Sequence, residues 1–218
     1  WEKRIDVIKN SGKLPIIDTQ ATYGNEIDVP FIMKSMDELG VALIAFAPKF
    51  INPQEGSMES LKLHQMYPQY FVPTTVDGAT EYWSEQKGPF MEKIEEEIRS
   101  GEYYFMGEFE LRHYPSASDS KSEKTFRDIS INPESPWMHR IFNLSSGKQI
   151  TFQIHHEPED KLLEPLERML AKYPNALVIW THLGQIRYPD KQKIYSPEYV
   201  DELLDKYNNL YFDLAVGR

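Results

Sequence analysis

The chain has no cysteine. That excludes disulfides, thiolate nucleophiles and cysteine-ligated zinc, and it leaves the compartment open, since disulfide-free proteins occur everywhere. No run approaches the ~18 consecutive apolar residues of a membrane-spanning helix, so a membrane is not an expected partner. Positive charge is short: 24 Lys and Arg face 34 Asp and Glu, a net charge of −10 that opposes binding to phosphate backbones. Nucleic acid is therefore not expected as a partner either. The chain opens at Trp1, with neither an initiator methionine nor a signal-peptide pattern. A segment preceding it, and a location in the cytoplasm or outside the cell, both stay open. No glycine-rich phosphate loop follows any apolar run, which weakens a nucleotide-binding reading.

What is present is the composition of an ordinary globular protein, 218 residues with 40% hydrophobic and 27% charged side chains. One domain over 1–218 is the expectation. Short apolar runs at 15–18, 41–47, 71–75, 103–111, 150–155, 177–181 and 210–214 read as strands covered on both faces. Amphipathic helices fall between them. "FMEKIEEEIRSG" places Phe90, Ile94 and Ile98 at steps of four and stops at Gly101. "PEDKLLEPLERMLAKYP" opens at Pro158 and stacks Leu162, Leu166, Met169 and Leu170, and "SPEYVDELLDKY" opens on Ser196 as N-cap with Pro197 behind it.

Strands alternating with helices make an α/β protein with a parallel sheet. A (β/α)8 TIM barrel is favoured over an open doubly wound sheet, because polar residues follow several different strands, as at a barrel mouth. Seven strands are present and the eighth is not seen, so the chain is expected to continue past Arg218. Residues 112–136 are rich in Ser, Asp and Lys and read as a long loop, either a substrate lid or an insertion without a role.

Polar, titratable groups close strand after strand. "LPIIDTQATYGNE" reads as a short buried strand ending in Asp18, with Gln20 and Thr22 two apart and thus on one face. "YYFMGEFELRHY" sets Glu108, Glu110 and Arg112 on one face, with His113 at the base of the long loop. "QITFQIHHEPED" ends in His155 and His156, of which one can point inward, and "LVIWTHLGQ" ends in His182. Asp213 lies near the end of the seventh strand. Such convergence makes His155 and His182 site residues, whereas His64 and His139 sit in helical stretches as surface or packing residues. Arg112 is a natural anchor for a substrate carboxylate.

In that order, "IIDTQATYG", "FIMKSMDELGVALIAFAP", "MGEFELR", "FQIHHEP", "VIWTHLG" and "NLYFDLA" resemble the strand motifs of the amidohydrolase superfamily. The likeness is to the amidohydrolase 2 group, which includes aminocarboxymuconate-semialdehyde decarboxylase. The resemblance implies a hydrolase or decarboxylase acting on a small carboxylated or cyclic substrate, and is compatible with a homodimer. It also implies one divalent metal, zinc or manganese, with His155 as the strand-five ligand and His182 in catalysis; Glu108 is expected to join His182 from its place on the strand-four face. Gln20, Thr22, Arg112 and His113 become substrate contacts. Gln20 and Thr22 stand where that group carries a His-x-His pair, and an amide or a hydroxyl is a poor ligand for zinc. A metal-free or non-catalytic barrel that binds a small molecule is the alternative.

Overall fold

A computed structural model describes residues 1–23, 27–48, 53–78, 80–116 and 127–214. Trp1–Val76 and Glu97–Phe105 make one compact unit; Asp77–Glu96 and Met106–Arg218 make a second. No helix of the described residues is long and apolar enough to cross a membrane.

The first unit opens with helix α1 (Glu2–Asn10), which the sequence reading does not contain. Its anchor is Arg4, whose guanidinium reaches the carbonyls of Val41 and Ala42 and the Asp37 carboxylate. Strand β1 (Ile16–Asp18) pairs in parallel with β3 (Val41–Ala45), which pairs in parallel with β5 (Phe71–Val72). Burial is not shared evenly. β3 is deep in the core, but Leu14, Ile16 and Ile17 are 85%, 48% and 52% exposed, against the expectation of a buried strand. The physical reason is position: β1 is an edge of its sheet.

A second correction concerns Gln20 and Thr22, which do not share a strand. Asp18 Oδ1 accepts the Gln20 N–H at 3.0 Å, a turn that ends β1, and Thr22 starts a separate two-residue strand, β2 (Thr22–Tyr23). β2 pairs in parallel with β4 (Ala47–Pro48). Helix α2 (Val29–Leu39) begins where Asp28 caps the Phe31 N–H and ends at Gly40, left-handed at φ 79°. Helix α3 (Pro53–Met66) carries His64, whose ring bonds the Phe71 carbonyl at 2.8 Å.

In the second unit, after the short helix α4 (Glu81–Ser84), α5 (Phe90–Ser100) buries Phe90, Ile94 and Ile98 as their spacing requires, though its last residues belong to the first unit. Strand β6 (Phe105–His113) leads to β7 (Ile129–Ser130), helix α6 (Pro136–Lys148), β8 (Thr151–His156), helix α7 (Asp160–Lys172), β9 (Leu177–Trp180), helix α8 (Pro197–Lys206) and β10 (Leu210–Phe212). The sheet order is β10-β9-β8-β6-β7. β8, β9 and β10 are parallel, and β7 returns antiparallel against the end of β6. β7 corrects the reading of 112–136 as one unstructured loop; residues 117–126 of it lie outside the described ones.

Ser135 and Ser196 cap α6 and α8 ahead of a proline, as the sequence expects for Ser196. α7 starts two residues later than Pro158, with Glu159 as its N-cap residue, whose carboxylate bonds Arg112 and Tyr114 and not the helix N-terminus. Among the described residues no further parallel strand follows β10.

Candidate active site

Three neighbouring strands of the second unit deliver the site: β6 from its middle, with Glu108, β8 from its carboxyl end, with His155, and β9 from the turn that follows it, with His182. Glu108 on β6 is the centre. Its Oε1 lies 3.0 Å from His155 Nδ1, 3.5 Å from His182 Nε2 and accepts the Thr181 hydroxyl at 2.8 Å. The rings of His155 and His182 meet edge-on with centroids 5.0 Å apart. The backbone of β6 is fixed here by Gly78, whose N–H donates to the Glu108 carbonyl at 2.6 Å. A Cβ at Gly78 would sit 2.9 Å from Phe109 Cα, so only glycine permits that approach.

β8 turns His155 and His156 to opposite sides, as alternation demands. His155 enters the cluster. His156 packs on Trp180, with centroids 5.1 Å apart, and is 1% exposed with neither ring nitrogen hydrogen-bonded. Burial pushes its pKa down to about 3, and the neighbouring His155 adds to that push.

His182 follows β9 in an unusual conformation. His182, Leu183 and Gly184 are left-handed in succession, at φ 58°, 45° and 56°. Left-handed backbone costs a residue bearing a Cβ on the order of 1–2 kcal/mol, so the surroundings must impose it. They do so at several points. Asp213 Oδ1 accepts the His182 N–H at 2.7 Å, the Asp213 carbonyl accepts the Leu183 N–H at 3.1 Å, and Tyr195 Oη donates to the Leu183 carbonyl at 3.0 Å. A Cβ on Gly184 would lie 2.5 Å from that same Tyr195 oxygen.

Burial alone would raise the Glu108 pKa, but His155, His182 and Thr181 override it and hold the carboxyl well below the usual range. Burial likewise opposes charge on His155, and Glu108 with Glu157 overcomes it, pushing the imidazole up to about 10. His155 Nε2 is 3.6 Å from Glu157 Oε1, and both His155 Nε2 and Glu157 Oε2 are buried without a hydrogen bond.

The other expected residues are placed as follows. Arg112 is 5% exposed and spends its guanidinium on Glu159 at 2.6 Å, Asp128 at 2.8 Å and the carbonyls of His113 and Ile129, with Tyr114 stacked 3.4 Å below. A cation so neutralised carries little attraction for a further carboxylate. His113 gives Nδ1 to the Arg127 carbonyl at 2.8 Å and faces Arg127 Nη2 with Nε2 at 3.1 Å. Burial pushes its pKa down to about 4, helped by the positive charge of Arg127. Gln20 and Thr22 belong to the first unit. His139 bonds the Tyr173 hydroxyl at 3.0 Å, a packing role as expected.

Sequence reasoning passes over Thr181, Glu157, Arg127 and Arg187. Arg127 clamps Glu110 through two 2.6 Å bonds, yet burial still pushes that carboxyl up to about 7. Arg187 lies 3.3 Å from Glu157 and bonds the Tyr114 carbonyl at 2.5 Å. Thr181 and Glu157 adjoin the strand-end histidines, which is the one sequence signal that could have found them.

Among the described residues, Glu108, His155 and His182 offer three ligand atoms within 4.8 Å of one another, and His113, His155 and Glu157 a second such group. The first group suits a divalent cation: one carboxylate and two imidazoles are zinc and manganese donors, and edges of 3.0 and 3.5 Å bracket the ~3.3 Å that tetrahedral bonds of ~2.0 Å produce. The second group is poorer, since Arg127 and Arg187 stand against it.

No protein-family model and no curated protein matches this sequence. Solved structures do. An uncharacterised TIM-barrel protein from Bordetella bronchiseptica is similar over 92% of this chain and 75% of its own, at 12% identity and TM-score 0.59. A protein from Staphylococcus aureus provisionally assigned as an amidohydrolase follows at 10% identity and TM-score 0.57, over 92% and 79%. 2,6-Dihydroxybenzoate decarboxylase from Rhizobium matches at 9% identity and TM-score 0.53, over 91% and 86%. At such identities the likeness is one of fold, and the chain has the TIM-barrel fold: α/β, with parallel strands apart from the short antiparallel β7.

Proposed function

We propose that the protein is an amidohydrolase-type hydrolase or decarboxylase acting on a small carboxylated or cyclic substrate. The observation that carries this reading is the convergence of His155 and His182 on one oxygen of the Glu108 carboxylate. The fold shared with an assigned amidohydrolase and a decarboxylase supports it. Glu108, His155 and His182 would hold a divalent metal, zinc or manganese. Such a cation supplies Lewis-acid polarisation of a substrate carbonyl and acidifies a bound water.

The chain's own residues set the rest. Glu108 is kept ionised by His155, His182 and Thr181 against the effect of burial, which suits it to holding a cation rather than to taking up a proton. His182, the more exposed of the two imidazoles at 15% against 9%, is the one placed to reach substrate. Thr181 fixes the carboxylate from below through its hydroxyl.

A second reading, a metal-free barrel that binds a small molecule, is favoured by Gln20 and Thr22, which stand where the resemblance expects histidines. Elemental analysis of the purified protein separates the two, followed by assay against aromatic carboxylates and cyclic amides. About one equivalent of metal, with turnover abolished in His182→Asn at nearly unchanged melting temperature, is the expected result. Absence of both metal and turnover would replace the proposal with the binding reading.

A further inference from the structure

We propose that Asp213 is the positioning residue of this site, locking the left-handed turn at His182–Gly184 and so aiming the His182 imidazole at Glu108. The inference rests on the proposed role of His182, though its test does not require catalysis.

Three observations converge on Asp213. It is the residue after β10, where its N–H donates to the Trp180 carbonyl at 3.2 Å and continues the parallel pairing past the strand ends. Its carbonyl and carboxylate then take the N–H groups of Leu183 and His182, two consecutive donors at the start of the strained turn. Its other oxygen meets Gln153 Nε2 at 3.4 Å, which fixes the carboxylate against β8.

The consequence for His182 is geometric. An extended or right-handed backbone at that position would swing Cβ away and take Nε2 off Glu108. Both His182 and Leu183 carry a Cβ, which disfavours the observed φ values of 58° and 45°, and the bond that closes the turn locally, from the Gly184 N–H to the Thr181 carbonyl at 3.2 Å, engages neither of them. The preference has to come from outside the turn. Asp213 and Tyr195 both grip it, and of the two it is Asp213 that bonds His182 itself. Residue and histidine are 31 positions apart, so the coupling is invisible to local sequence patterns.

The test is nuclear magnetic resonance of the whole chain, following the contact between the His155 and His182 ring protons. Asp213→Ala is expected to lose that contact while contacts elsewhere in the second unit persist. Asp213→Asn keeps an acceptor for the His182 N–H and is expected to keep the contact. Adding Leu183→Gly to Asp213→Ala is expected to restore it in part, because glycine enters the left-handed region freely. A ring contact that survives in Asp213→Ala overturns the proposal. If Asp213→Ala fails to fold, amide hydrogen exchange of the parent decides: strong protection at His182 is expected, and exchange at the rate of a free peptide overturns the proposal.

Zinc titration by calorimetry forms a separate arm. In Asp213→Ala the dissociation constant is expected to rise at least about tenfold, the usual effect of loosening a ligand's support. A parent protein that binds no zinc would remove the metal from the proposed function and leave the ring-contact result to judge Asp213.

Discussion

Glu108 and His155 meet at 3.0 Å in a pocket that leaves their side chains 18% and 9% exposed, so without a metal each holds the other in its charged form, and a cation bound there would have to displace the His155 proton. Removing one charge strands the other. Glu108→Gln keeps the shape and is expected to lower the unfolding free energy by ~3 kcal/mol, the scale for breaking a buried pair from one side. Urea denaturation at pH 7 measures it. An unchanged midpoint would mean that the two groups are not paired in solution.

Glu110 and Arg127 give a cleaner case, because their two 2.6 Å bonds form a bidentate fork. Arg127→Ala removes the cation from a carboxyl that burial already pushes up to about 7, so Glu110 takes up a proton at neutral pH and the expected cost is ~1–3 kcal/mol, that of the lost hydrogen bonds. Pairing it with Glu110→Gln should recover much of that loss. A double-mutant cycle of urea midpoints reads the coupling directly, and additivity of the two losses would refute it.

His156 offers a gain. Both nitrogens of a buried imbedded ring lack partners, and replacing such a group by an apolar one of similar volume removes the desolvation cost. His156→Leu is expected to stabilise the protein by ~1 kcal/mol and to leave zinc binding unchanged. Destabilisation would show that the ring has a partner in solution.

The positions of the strands were legible because apolar runs of four to nine residues stop at polar ones, a signal carried within each segment. Seven runs correspond to β1, β3, β5, β6, β8, β9 and β10. The burial of β1 was not legible, since whether a strand is central or at an edge depends on partners far away in sequence. Gln20 and Thr22 show the limit of alternation: the rule holds only while the strand lasts, and the Asp18 turn ends it. At the site, the titratable residues could be read from their places at strand ends. Their partners could not. Arg112 reads from the sequence as an anchor for a substrate carboxylate, and only the fold reveals Glu159 and Asp128 beside it, 47 and 16 residues on.

Stability should also fall on acidification, in two stages. His113 and His156 have folded pKa values of about 4 and about 3, below the ~6.5 of the unfolded chain. Between those limits the unfolded state binds more protons, so stability drops as pH falls from ~6.5. Glu110, pushed up to about 7, works the other way over part of that range, so Glu110→Gln should steepen the decline. Below ~4.3 the second stage begins. Burial would raise the Glu159 pKa, but Lys161, Arg112 and Tyr114 hold it at about 2, and the stability that this gives is lost as pH falls towards that value. Urea midpoints at a series of pH values test the pattern; a flat profile from pH 6.5 to 4 would contradict the first stage.

Among the described residues, the arginines around the strand ends are answered from within: Arg112 by Glu159 and Asp128, Arg127 by Glu110, Arg187 by Glu157. An incoming anion therefore finds no surplus positive charge on them. Under the proposed function, a cation held by Glu108, His155 and His182 is what would supply that surplus. Metal and carboxylate substrate would then bind as thermodynamically linked ligands, each tightening the other by the same factor.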